Sequence, residues 1–217
     1  MIPIGDDNSE IRRLPIVTYL LITLNLLVFL YEMSLLFSRN GPFRLALFFR
    51  TYAVIPQEIT TGMDLPPLLG PYPVYLTLLT SIFMHGGLMH ITGNMLYLWI
   101  FGDNVEDRLG SLRFLMFYLL CGLLATAAHI VMQPRALIPT LGASGAIAGV
   151  LGAYLVLFPG KYVNVWFGWL LGIVPVPAII VIGMWAILQL VSGISEISNQ
   201  LNGGVAYWAH IGGFLAG

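Results

Sequence analysis

Long apolar runs alternate with short polar segments along this chain. The first thirteen residues, Met1 to Arg13, are polar and end in Arg12-Arg13. An apolar run from Pro15 to about Leu36 follows, and has the roughly 20 residues that a helix needs to cross a bilayer. Phe37 to about Tyr75 is the longest connection. Within it, Phe43 to Arg50 mixes two arginines with aromatics and leucines, which predicts an amphipathic helix at the membrane surface. Thr60 to Pro73 is rich in Pro and Gly and predicts turns. The apolar stretch from Val74 to Phe101 is too long for one clean helix and breaks at His85-Gly86-Gly87. Its core, Leu88 to Phe101, is the second span, and Gly102 to Gly110 is a polar loop. Further spans are predicted over Leu112 to about Val131, Ser144 to about Phe158, about Leu170 to Val191, and from Val205 onward. Ser192 to Gly204 is expected as a polar outer loop containing Glu196. The last run holds only about a dozen residues before Gly217, too few to cross a bilayer, so that helix is expected to be truncated or to continue. The pattern predicts an all-α, polytopic membrane bundle of six transmembrane helices: a tail over 1–13 and a membrane domain over 14–217.

Composition narrows the class. Of 217 residues, 58% are hydrophobic and only 9% charged, against about 25% charged in soluble domains. Soluble classes are thereby set aside. A net charge of −1 carries no nucleic-acid footprint. The single Cys121 cannot form a disulfide within the chain. No small-residue cleavage pattern follows the first apolar run, which predicts a retained signal anchor rather than a cleaved signal. Arg12-Arg13 before the first span predicts a cytoplasmic N-terminus. The inner side then holds Arg12, Arg13, Arg108, Arg113 and Lys161; the outer side holds Arg39, Arg44, Arg50 and Arg135. The short N-terminal tail points to a bacterial plasma membrane.

Few polar residues lie at membrane depth, where each is a functional candidate. His90 and Asn94 are four apart on the second span and share one helix face. Ser144 opens the fourth span between two glycines, Leu141-Gly142-Ala143-Ser144-Gly145. His210 lies about five residues into the sixth, His129 near the outer end of the third, and His85 just before the second. The bland readings are real ones. Ser144 can be an ordinary helix N-cap. His210, His90 and Asn94 can be hydrogen-bonding glue between helices. His85 and His129 read as structural. Gly145, Gly149 and Ala153 form a small-residue face for close packing in either case. Topology favours the sharper reading, because His90, Asn94, Ser144 and His210 all fall in the outer halves of their spans. Together they supply the parts of an acyl-transfer site. Ser144 is the candidate nucleophile and His210 the candidate general base. Asn94, His90 and the Ser144 amide are candidate oxyanion donors. No acidic residue is expected at that depth, so the site is a dyad rather than a triad. A His-Glu-x-x-His zinc helix is absent, the four histidines match no standard metal spacing, and every Asp falls in a tail or loop. No metal and no cofactor are therefore predicted.

Four motifs in order resemble the rhomboid intramembrane serine proteases. They are His85-x4-His90-x3-Asn94, Gly102-x3-Glu106-x3-Gly110, Gly142-Ala143-Ser144-Gly145, and Ala209-His210-x2-Gly213-x3-Gly217. The resemblance implies a six-helix bundle with Ser144 as nucleophile, His210 as base, and Asn94, His90 and the Ser144 amide as oxyanion hole. His85, Gly142 and Gly145 would support the site, and Glu106 would satisfy backbone groups. Substrates would be membrane-anchored proteins with a transmembrane segment, cut within or beside it at a small residue. The first long loop would embed partly in the outer leaflet, with the fifth span and the Ser192 to Gly204 loop as gate and cap. The alternative is an inactive rhomboid-like protein that binds client transmembrane helices; possession of both dyad residues argues against it. A solute transporter would need charges lining a path through both leaflets, and the inner halves of the spans offer almost none. The chain departs from the resemblance at one point. Some members carry a tyrosine four residues after the nucleophile, packed on the histidine, and here that position is Ala148.

Overall fold

The structure is a computed structural model that describes residues 2–9, 11–66, 70–71, 73–169, 171–199 and 205–217. The helices are α1 (Ile16–Leu36), α2 (Gly41–Tyr52), α3 (Pro56–Thr61), α4 (Thr77–Thr80), α5 (Leu88–Leu109), α6 (Ser111–Met132), α7 (Ser144–Leu157), α8 (Ala178–Asn199) and α9 (Tyr207–Ala216). Tight 3-10 turns, Val74–Leu76 and Ser81–Phe83, flank α4. Strands β1 (Ile2–Asp6), β2 (Tyr162–Trp166) and β3 (Ile173–Pro177) complete the elements. Helices α1, α6 and α8 are each long and apolar enough to cross a membrane. The segment Val74–Phe83 joins α5 at a 77° bend and makes a fourth such unit, broken at His85-Gly86-Gly87. The helical membrane architecture expected from the apolar runs holds.

Helix α7 is the centre of the bundle. Every residue from Gly145 to Tyr154 is buried, as befits a helix apolar on all sides. Small residues let its neighbours approach. A Cβ at Gly145 would meet the Ala125 Cβ of α6 at 2.6 Å, and one at Gly149 would meet the Cys121 Cβ at 2.5 Å. On the other side, Gly213 of α9 and Gly217 just after it lie against the carbonyls of Gly145 and Gly149, and Gly152 lies against that of Phe214. Backbone contact this close is the small-residue mode of helix packing in membranes. Helix α1 is one-sided by contrast. Its buried stripe is Thr18, Leu21, Asn25, Phe29, Glu32 and Leu35, spaced three or four apart.

Four expectations change. The 1–13 tail is not free: β1 pairs antiparallel with β2, which pairs with β3, in the order β1-β2-β3. The β2 side chains Val163 and Val165 point into the helical core. This alternation is a strand signal in a segment that the sequence reading leaves between the fourth and fifth spans. The fifth helix therefore begins at Ala178, after the hairpin, and not near Leu170. Its far end runs to Asn199, so much of the expected Ser192 to Gly204 loop is helical; residues 200–204 lie outside the described residues. Lastly, the expected Gly102 to Gly110 loop is the continuation of α5. Asp103, Asn104 and Glu106 are buried there because they bond the N-terminal segment. Asn104 Nδ2 donates to Asp6 Oδ2 at 2.8 Å, and Asn8 Nδ2 donates to Asp103 Oδ2 at 3.0 Å. The amides of Arg12 and Arg13 donate to Asp107. Glu106 accepts from the amides of Val17 and Thr18 and from both the Thr18 and Ser111 hydroxyls, all within 2.9 Å. It thus caps α1 from outside, where Pro15 has no capping side chain.

Candidate active site

Ser144 is positioned by the loop before it. Val54 and Thr140 exchange backbone hydrogen bonds at 3.0 and 2.7 Å, and the Gly142 amide donates to the Ser81 carbonyl at 2.9 Å. These bonds pin residues 140–142 to Val54 within the first long connection and to Ser81 just after it. Gly142 has φ +129°, and a Cβ there would sit 2.8 Å from the His90 ring and 3.6 Å from Ser144 Oγ. Only glycine tolerates both the dihedral and the crowding.

The N-cap of α7 is Ala143, with no side-chain cap bond. Ser144 is the first helical residue, and its hydroxyl is not spent on capping. Its Oγ lies 2.7 Å from His210 Nε2. The other end of that ring, Nδ1, lies 2.8 Å from Gln189 Oε1. A side-chain carbonyl only accepts, so Nδ1 carries the proton and Nε2 is left as acceptor for the serine hydroxyl. Trp185, one turn before Gln189 on α8, lies against the imidazole with centroids 5.9 Å apart and planes tilted 36°. Trp185 and Gln189 take the orienting place left open by Ala148.

The opposite wall comes from α5. His90 receives the Gly86 amide at Nδ1, 3.4 Å away, which leaves Nε2 as its donor. Asn94 Nδ2 lies 2.9 Å from His85 Nε2, and the His85 and His90 rings meet edge to face at 5.0 Å. With His85 Nε2 as acceptor, one Asn94 amide hydrogen is held and the second is free to point into the site. His85 is itself anchored: its backbone amide donates to both carboxylate oxygens of Glu32, at 3.1 and 3.3 Å. Glu32 sits on α1 and is fully buried.

All four residues named for the chemistry border one cavity of about 840 Å³, lined also by Gly86, Gly93, Tyr97, Leu151, Trp185 and Val205. A second cavity of about 480 Å³ shares Gly86, His90, Leu141, Val205 and Ala206 with it and carries the polar side chains His129, Gln133, Arg135 and Glu196. His129 itself bonds Thr140 through Nε2 at 3.1 Å. His85 lies behind Asn94 rather than on the cavity wall. Gly145 packs on α6 at the start of α7, next to the serine.

Three participants escape the sequence reading: Gln189, Trp185 and Glu32. For two of them the signal is present. A glutamine and a glutamate inside apolar spans are costly residues of the very kind that flagged His90 and Asn94. Trp185 gives no such signal, because a tryptophan in a span is ordinary.

Geometrically, the arrangement offers a hydroxyl whose proton has an acceptor at 2.7 Å. It also offers amides at a helix start that lack intrahelical partners, and two side-chain donors across a cavity. Those are the requirements for attack on a carbonyl with stabilisation of the resulting oxyanion. Known proteins resemble this chain in sequence. A family model described as the Rhomboid domain matches residues 73–217. The rhomboid protease GluP of Bacillus subtilis is 47% identical over 78 residues, covering 36% of this chain and 15% of that protein. The mitochondrial rhomboid protein 1 of Saccharomyces cerevisiae is 33% identical over 147 residues, 65% of this chain and 40% of the relative. The mitochondrial presenilin-associated rhomboid-like protein of Bos taurus is 37% identical over 84 residues, 38% and 22% of the two chains. The chain spans less than half the length of each of these relatives.

Proposed function

The chain belongs to the rhomboid family, and from that premise we propose that it is a multi-pass intramembrane serine endopeptidase using Ser144 and His210. One observation carries the reading: Ser144 Oγ and His210 Nε2 lie 2.7 Å apart on the wall of a large cavity. Ser144 Oγ attacks the scissile carbonyl while its proton passes to His210 Nε2. The carbonyl oxygen becomes an oxyanion that the Ser144 amide, Asn94 Nδ2 and His90 Nε2 receive. As the C–N bond breaks, His210 returns the proton to the leaving amine. Water then attacks the acyl-serine, again losing its proton to His210, and Ser144 is released with a carboxylic acid product.

Substrates on this reading are membrane-anchored proteins with a transmembrane segment. The cavity lies between α5, through Met89, Gly93 and Tyr97, and α8, through Trp185, so a transmembrane segment reaches it sideways from the bilayer. Its other neighbour, the polar 480 Å³ cavity, supports access by water. The Arg12-Arg13 pair supports an N-terminus on the cytoplasmic side, with the active site toward the outer side of a bacterial plasma membrane.

The test is cleavage of a single-span reporter in liposomes by the wild type, Ser144→Ala and His210→Ala. Both variants are expected to lose cleavage by at least about a thousandfold. Fluorophosphonate labelling of the wild type is expected to disappear in Ser144→Ala. Cleavage that survives in Ser144→Ala overturns the assignment. A wild type that binds the reporter but neither cleaves nor labels identifies a client-binding protein instead.

A further inference from the structure

We infer that Gln189 is a positioning residue for His210, and that through it the readiness of the Ser144–His210 pair depends on how α8 is seated. The inference rests on the serine-protease reading above and adds a third residue to its dyad.

The two ring nitrogens of His210 make opposite bonds of nearly equal length. Nε2 meets Ser144 Oγ at 2.7 Å and Nδ1 meets Gln189 Oε1 at 2.8 Å. Neutral imidazole has one N–H, and which nitrogen carries it is set by the partner of the other. The Gln189 carbonyl requires a donor, which places the hydrogen on Nδ1 and the lone pair on Nε2. Without that acceptor the ring is free to carry its hydrogen on Nε2, and in that form it cannot take the serine proton. Gln189 is neutral, so it selects the tautomer and holds the ring angle without the charge that an aspartate supplies in a triad.

The helix that supplies this bond is the least buried of the three long apolar spans. Only 17% of the α8 span is buried, against 33% for α1 and 44% for α6. Ser144 and His210 themselves stand on α7 and α9, which meet through backbone at Gly145 and Gly213. The serine–imidazole distance is therefore fixed by a rigid pair of helices, while the tautomer is fixed from a loosely packed one. Trp185, four residues before Gln189 and so on the same face of α8, both lines the cavity and covers the imidazole. Outward movement of α8 widens the cavity between Trp185 and α5 and withdraws the Gln189 carbonyl in the same step. Substrate admission and base alignment thus compete until α8 closes again.

The experiment compares Gln189→Leu and Gln189→Glu in the full chain in liposomes, with Ser144→Ala alongside. Gln189→Leu is expected to lower kcat about 10–100-fold with KM within about twofold, as befits loss of an interaction needed in the transition state. Gln189→Glu keeps an acceptor at the same reach and is expected to retain turnover within about tenfold of the wild type. Nitrogen-15 spectra of histidine-labelled protein are expected to show His210 protonated on Nδ1 in the wild type and Gln189→Glu, and a mixture of tautomers in Gln189→Leu. Gln189→Leu with wild-type kcat, or with its Nδ1 proton intact, overturns the inference, as does Gln189→Glu failing as severely as Gln189→Leu. Cleavage by Ser144→Ala would instead overturn the protease reading itself, so the two failures are separable.

Discussion

Gly213→Ala perturbs packing and the proposed chemistry together. Gly213 lies three residues after His210 on α9, and its missing Cβ lets the Gly145 carbonyl of α7 rest against it. A Cβ added there would overlap that carbonyl oxygen, lie 2.9 Å from its carbon, and lie 3.3 Å from the Ala125 Cβ of α6. The first two atoms are backbone, so no side-chain rotation relieves them. An unstrained contact of carbon with a carbonyl oxygen is about 3.3–3.6 Å, which requires the helices to part by more than about 1 Å. Overpacking of this kind costs about 1–3 kcal/mol. The larger consequence is at the site. Ser144 adjoins Gly145, so the 2.7 Å bond to His210 opens toward about 3.7 Å, beyond hydrogen-bonding range. A misplacement of about 1 Å costs about a hundredfold in rate, or about 2.7 kcal/mol of barrier. We therefore expect Gly213→Ala to lower kcat in the liposome reporter assay about a hundredfold and to lower the thermal midpoint in detergent. Gly183→Ala on α8 is the control, since a Cβ there meets nothing within 4 Å, and both readouts should stay near wild type. Gly213→Ala that unfolds normally and cleaves within about threefold of wild type would refute the claim that the α7–α9 contact sets the serine–imidazole distance.

Other perturbations probe the supports. Glu106→Gln replaces one acceptor oxygen with a donor facing the α1 amides, and is expected to destabilise the fold by about 2–4 kcal/mol, read as a drop in thermal midpoint; an unchanged midpoint would remove Glu106 as the α1 cap. Glu32→Leu leaves the His85 amide without its acceptor and frees the ring that holds Asn94, so cleavage should fall about tenfold with Ser144 still labelled by a fluorophosphonate. Burial raises the Asp6 carboxyl from 3.8 to about 6, with Asp103 adding to the rise and the Tyr154 and Lys161 contacts opposing it. A folded-state pKa above the unfolded one means that the fold favours protonated Asp6. The β1 contact is thus strongest below about pH 4 and weakens as pH rises through about 6. Protection of the β1 amides, relative to their intrinsic exchange, should fall over that window, and Asp6→Asn should flatten the dependence; an identical protection profile in Asp6→Asn would refute the assignment.

How much of this was legible in the sequence depends on the kind of signal each residue leaves. His90 and Asn94 announce themselves because four-residue spacing puts two costly groups on one helix face. Ser144 and His210 follow from the requirement that polar groups at membrane depth have a purpose, and their separation in sequence is spanned by helices whose small-residue faces are also visible. Gln189 and Glu32 obey the same rule and were legible by it. What hid them was their isolation: each is a single polar residue in a long apolar run, with partners, His210 and His85, that only tertiary packing brings near. The hairpin was hidden differently. Tyr162 to Trp166 alternates inward and outward but is too short to stand out between two predicted spans, and the apolar content of Ile173 to Pro177 merges with α8 and reads as the start of the fifth span. The buried end of α5 was missed because Asp103, Asn104 and Glu106 look like a solvated loop until the N-terminal segment supplies their partners.

These supports divide the molecule by stiffness, and the division follows the proposed chemistry. At one end of α7, Tyr154 donates to Asp6 at 2.6 Å and Lys161 bonds both the Asp7 carbonyl and Asn104, so the helix is tied at its base to β1 and α5. Along its length, glycine contacts lock it to α6 and α9. At its start, the bonds of Thr140 and Gly142 fix the loop that presents Ser144. Nucleophile, base and the α5 donors thus all sit on elements with little freedom, as preorganised stabilisation of a developing charge requires. Helix α8 is the exception, with 17% of its span buried against 33% for α1 and 44% for α6. A protease that admits a helix from the bilayer needs one movable wall. Placing the histidine's orienting groups, Trp185 and Gln189, on that wall keeps the base misaligned while the wall is open, and confines the aligned dyad to the closed state.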